Sequence, residues 1–246
     1  MTPALKQAIE ELYRVFAHVP RPREIDVSPY EDFEEYQRVL DGPLREVPPD
    51  DIGSFAGSVL LTVGLTTDYR YFLPRICECA MIEQTHIGFD PPNIADRLRR
   101  AGWAQWPEPG RRAVTDFFVA AFNASLVEWY GCVGPNEWLC GIMSIGGQPT
   151  PHLTAWREST EFQAALRLAE FVGINPFKDD TLGAEDYWWG RLSAEHRREV
   201  AHWLFSTASL EQLKSWRGRY DPDDSYHGHW NIEAAIEDLE AKFSSC

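Results

Sequence analysis

Apolar residues recur at three- and four-residue steps along most of the chain, and this restricts the fold more than any other feature. In an α-helix that spacing gathers side chains on one face, where they can be buried together. Leu5, Ala8, Ile9, Leu12, Tyr13 and Phe16 form the first stripe, with Thr2 placed to cap it and Pro3 at the first helical position. Ile52, Phe55, Ala56, Val59, Leu60 and Val63 draw a second stripe before Gly64. A third joins Tyr69, Phe72, Leu73, Ile76, Cys77 and Ala80, but Pro74 interrupts it and predicts a kink or a fresh helix start. The longest runs through Val114, Phe117, Phe118, Ala121, Phe122, Leu126 and Trp129.

Shorter helices are expected at NIADRLRRAG, EFQAALRLAEFVG, SAEHRREVAHWLFSTA, SLEQLKSW and NIEAAIEDLEAKF. Ser28 with Glu31, and Ser209 with Gln212, have the spacing of reciprocal capping boxes. Between Gly131 and about Thr160 the period fades while Gly, Pro and Cys accumulate, so irregular loops around one short helix at NEWLCGIM are expected. Only SVLLTV could pass for a strand, and it lies inside a helical frame. The fold class is therefore all-α, with about nine to eleven helices in an irregular bundle or a solenoid-like array of antiparallel pairs. No fixed repeat period is present. A single domain spanning 1–246 is expected, with any subdivision near 131–160.

Composition narrows the partners. A net charge of −15 repels phosphate backbones, so nucleic acid is not expected and a basic protein is. Residues 1–60 carry twelve acids against six Lys and Arg, whereas the stretch 96–112 carries five Arg against two acids. No apolar run approaches the roughly 20 residues that span a bilayer, and the first residues lack a signal peptide's apolar centre. A cytoplasmic location without membrane contact follows as an expectation. Cys77, Cys79, Cys132, Cys140 and Cys246 lack the spacing of a zinc module, and reduced thiols are expected.

One stretch resembles known proteins. PLRE at Pro43–Glu46, the helix after it, DYRY at Asp68–Tyr71 and FLPR at Phe72–Arg75 look like the pattern of a widespread family of bacterial all-helical proteins with no assigned activity. Trp106 and Pro107 fit the same pattern. The resemblance covers about the first half of the chain and implies a helical fold and a bacterial origin. It implies no catalytic residue and no cofactor.

Chemistry is sparse. In DPDDSYHGHW, His227 and His229 are two apart, and in extended backbone both could reach one ion, with Asp221, Asp223 or Asp224 completing the ligands. As a calcium loop the stretch fails, since Tyr226 stands where Gly is needed. His196 and His202 are six apart and do not share a helical face. GIMSIGGQP is one residue too long for a nucleophile elbow, which leaves Ser144 an ordinary serine. DYWWGRL places three aromatics in a row, so one face cannot bury them all. Tyr187, Trp188, Trp189 and Arg191 are the residue types enriched at binding hot spots.

These features point first to a non-enzymatic, acidic helical protein that binds a macromolecule, such as an inhibitor or immunity-type partner of a basic protein. A metal-dependent enzyme using the His227/His229 loop is the second reading. A small-molecule binding module with Trp188 and Trp189 in its pocket is the third. No cofactor is expected.

Overall fold

The computed structural model describes residues 1–82, 87–128, 133–177, 183–219 and 228–244, the side chains of 228–230 excepted. Among the described residues the chain is all-helical. It forms twelve α-helices and five short 3-10 turns, one helix above the upper end of the expected range. No described helix is long and apolar enough to cross a membrane.

The chain divides into two compact units: Met1–Ala124 with Tyr130–Val133, and Ser125–Trp129 with Gly134–Cys246. The first contains α1 (Pro3–Phe16), α2 (Phe33–Gln37), α3 (Pro49–Ser58), α4 (Thr66–Ile82) and α5 (Pro91–Arg100), and α6 (Glu108–Ser125) ends at the junction. The second contains α7 (Pro135–Ser144), α8 (Thr150–Glu158), α9 (Phe162–Ile174), α10 (Ala194–Leu204), α11 (Thr207–Lys214) and α12 (Gly228–Ser244).

In the first unit the stripe of α1 packs on α4, and α3 packs on both α4 and the turn at residues 87–89. Thr2 caps α1 by accepting the Leu5 N–H, as its spacing implies. Leu5, Leu12, Phe55, Phe72 and Ile76 are fully buried. The core is also stapled by polar side chains. The Arg75 guanidinium donates to the Val47 carbonyl from Nε (3.0 Å) and Nη2 (2.9 Å) and pairs with Glu78 at 2.7 Å. Glu78 in turn accepts the Tyr13 hydroxyl at 2.6 Å. Arg45 lies 3.7 Å over the Tyr13 ring and holds Glu10 with two hydrogen bonds. The arginines of PLRE and FLPR thus tie the loop before α3 to α1 and α4.

Several local expectations are corrected. The second stripe does not continue as helix to Val63. α3 ends at Ser58, and the chain turns through Leu60 at φ +62°. Val59 and Val63 are nonetheless buried, and Val63 pairs as an isolated bridge with Val27. The box at Ser28 and Glu31 does not start a helix, because the Ser28 N–H is taken by the Thr62 carbonyl. Asp32 caps α2 instead, accepting the N–H groups of Glu34 and Glu35. Pro74 starts no new helix and sits inside a continuous α4.

In the second unit α9 packs on α12, and α11 packs on both. Ile232, Ala235, Ile236 and Leu239 line the buried face of α12. The stretch expected to be mostly loop holds α8 as well as α7. The cap of α11 is Ser206, not Ser209; the Ser209 hydroxyl lies inside the helix and donates to the Trp203 carbonyl.

Candidate functional site

The most chemically suggestive cavity in the first unit lies where the end of α1, the first half of α4 and the start of α6 meet. It has a volume of about 390 Å³, within the range of small-molecule pockets. Its walls are mostly apolar: Val15 and Phe16 from α1, Pro107, Pro109 and Gly110 at the start of α6, and Trp106 between them. The Tyr13–Glu78–Arg75 network holds α1 against α4, and so fixes the distance between the two sides.

Trp106 is the floor. Its indole N–H donates to the Ala101 carbonyl at 3.2 Å, which locks the ring plane, and Phe16 meets it edge-on at 5.7 Å. Above the indole, 5.2 Å from its centre, lies the guanidinium carbon of Arg70. The Arg70 Nε is buried and has no hydrogen-bond partner among the described residues. Among the described residues no carboxylate lies within ion-pair distance of this side chain. Arg14, on the same wall, is already paired with Glu11, and the His18 ring nitrogen is engaged by the Val15 carbonyl at 2.8 Å. Gly110 opens one corner: a Cβ there would sit 3.6 Å from Phe16 and 4.0 Å from Trp106, an ordinary contact, with the cavity beyond it.

A guanidinium is charged at every accessible pH and is normally satisfied by carboxylates or phosphates. Arg70 instead has an aromatic face below and an apolar cavity beside it. Such a site can hold an anion by charge-assisted hydrogen bonds while the aromatic walls receive a flat apolar body.

The sequence-predicted residues are distributed differently. Trp189 is buried, stacked 5.6 Å from Phe171 and edge-on 5.1 Å from Phe177, and serves the core of the second unit. Tyr187 is 65% exposed and Trp188 half-buried, with Arg191 lying 4.6 Å over the first ring and 5.4 Å over the second. The four residues therefore divide into one core plug and a surface cluster of three. Asp221, Asp223, Asp224 and His227 lie outside the described residues, as does the side chain of His229. Among the described residues no group of three or more His, Cys, Asp or Glu is placed to hold a metal ion. Ser144 lies in the last turn of α7 and donates back to the Cys140 carbonyl.

Displaced ionisable groups occur away from the cavity. Burial pushes Glu137 up to about 7, against the pull of the Gly134 N–H and the Asn136 amide, each at 2.7 Å. Its carboxylate closes the start of α7. Burial likewise raises Asp90 to about 6 and the thiols of Cys77 and Cys140 above their usual range. Asp96 goes the other way: burial opposes its charge, but hydrogen bonds from Arg100 and Arg99 outweigh it and hold the carboxyl at about 2.

No family model, no curated protein and no solved structure matches the chain. The residues must carry the argument alone. Phe16 stood in the sequence as a core position of the first stripe and Arg70 as part of DYRY, and neither pattern marks a cavity or says which of 23 Lys and Arg go without a carboxylate. Trp106 was visible only as half of a Trp-Pro pair.

Proposed function

We propose that this chain is a binding protein for a small anionic ligand with a flat apolar body, held in the cavity between α1, α4 and the start of α6. Arg70 takes the anionic group, and Trp106 and Phe16 take the ring. One observation carries the reading: a guanidinium with no carboxylate partner among the described residues lies over an indole at the wall of an apolar cavity of about 390 Å³. Arg70 is half-buried with its Nε enclosed, and a bound carboxylate can accept charge-assisted hydrogen bonds from its guanidinium.

Titration calorimetry with benzoate, phenylacetate and indole-3-acetate tests it, each beside its uncharged amide. The acids bind and the amides bind at least about tenfold more weakly, as expected for loss of a hydrogen bond to a charged group. Arg70→Gln removes the preference for acids. Gly110→Leu fills the corner and abolishes binding of both, while better helix propensity than glycine favours its folding. Equal affinity for acid and amide, or acid binding unchanged in both variants, overturns the proposal.

A second reading, capture of a basic protein, is supported by the net charge of −15 and by the exposed cluster of Tyr187, Trp188 and Arg191. Binding to a cationic protein that weakens steeply with salt and is reduced by Tyr187→Ala supports it. Binding no stronger than that of a neutral control protein sinks it.

A further inference from the structure

Another guanidinium has no anionic partner among the described residues, and its surroundings are polar where those of Arg70 are apolar. Arg157 ends α8. Its Nη2 donates to the Trp203 carbonyl at 3.3 Å and the Ser206 hydroxyl at 3.1 Å, and its guanidinium carbon lies 5.4 Å from the centre of the Trp203 ring. Its Nε is buried without a partner, and no carboxylate of the described residues forms an ion pair with it. Burial pulls its pKa below the usual range with no acid holding it up.

Cavities of about 220 and 470 Å³ flank this side chain, and both are lined by Arg157 and Glu158. The larger one is lined as well by Ser159, Thr160, Gln212, Trp216 and Arg219. Arg219 is exposed and lies 5.9 Å over the Trp216 ring. Gln212 gives its amide N–H to the Trp156 carbonyl, and its amide oxygen is buried without a donor. The groove therefore combines two cations, one indole face and several hydroxyl and amide groups. Glu158 and Glu211 on the wall oppose a long polyanion, yet they can accept hydrogen bonds from ligand hydroxyls.

We infer that the groove between α8 and α11 binds a small, hydroxyl-rich anion of the sugar-phosphate class. The anionic group lies against Arg157 and Arg219, and the hydroxyls meet Glu158, Ser159 and Thr160. The indole of Trp216 offers a flat face to the ring of the ligand. The site is separate from the cavity at Arg70 and stands or falls independently of it.

Titration of the full chain with glucose 6-phosphate, inorganic phosphate and glucose, followed by calorimetry, tests the inference. Glucose 6-phosphate binds with a Kd below about 1 mM, inorganic phosphate at least about tenfold more weakly, and glucose more weakly still. Arg219→Gln, at an exposed side chain over Trp216, lowers the affinity for glucose 6-phosphate about tenfold and leaves folding intact. Arg157→Lys keeps the charge but loses the planar fork, and weakens binding as well. Arg70→Gln leaves it unchanged. Absence of glucose 6-phosphate binding at about 10 mM overturns the inference. So does equal affinity for inorganic phosphate, or binding indifferent to Arg219→Gln and Arg157→Lys.

Discussion

Replacing Arg75 by Met keeps the length of the side chain and removes its guanidinium, so it isolates what the polar staple contributes. Three hydrogen bonds go: two to the buried Val47 carbonyl at 3.0 and 2.9 Å, and one to Glu78 at 2.7 Å. Hydrogen bonds to charged groups are each worth about 1.5–3 kcal/mol, and the two that share one oxygen do not add fully. Glu78 keeps the Tyr13 hydroxyl and some water, which limits the damage on that side. The expected loss is about 3 kcal/mol, in the range for breaking one partner of a buried pair. With a urea slope of about 1–3 kcal/mol per molar, the midpoint of the first unit's transition falls by roughly 1–3 M. The control is Arg45→Met, whose pair with Glu10 is half exposed on both sides and is worth at most about 1 kcal/mol. If the two variants shift the midpoint equally, the buried carbonyl is not what Arg75 supports, and the reasoning is wrong.

Gly88→Ala should destabilise the first unit by about 1–3 kcal/mol in urea titration, because a Cβ would lie 2.6 Å from both the Gly53 carbonyl oxygen and the Gly57 nitrogen. Gly57→Ala, whose Cβ meets only Ile87 at 3.8 Å, should be neutral or stabilising in the same assay. Trp189→Ala should cost about 3–5 kcal/mol, and Trp188→Ala, half exposed, under about 1 kcal/mol, both read from chemical denaturation. Glu137 is raised by burial from the ordinary 4.5 to about 7, so its contribution to stability is full below about pH 4.5 and is lost as pH rises through 7. Wild-type protein should therefore lose more stability than Glu137→Gln between pH 5 and 8, measured as the difference in urea midpoints; parallel pH profiles would refute this.

Burial follows the apolar stripes because a 3.6-residue period selects one helical face whatever that face meets. Val59 and Val63 show where burial and secondary structure part company. Both are buried as the stripe demands, yet they get there through a turn with Leu60 in the left-handed region. Spacing alone cannot separate a fourth helical turn from a reversal that returns the chain to the same wall. Capping signals failed where two candidates competed: Asp32 outranked Ser28, whose N–H was claimed by Thr62, a partner 34 residues away in the sequence. α8 escaped notice because only Leu153 and Trp156 of it are buried, too few to draw a stripe. The candidate site was the least legible part, since it depends on which arginine comes to lie over an indole beside a cavity after folding, and that is a property of three dimensions.

Pro74 has one more consequence. It carries no N–H, so the carbonyl of Arg70, four residues earlier, receives no rung from the helix at that point. α4 thus lacks a rung at the turn that presents Arg70 to the cavity. An occupant that draws on Arg70 pulls against the weakest link of an otherwise stiff rod, and the ease of opening there can be set by one imino acid.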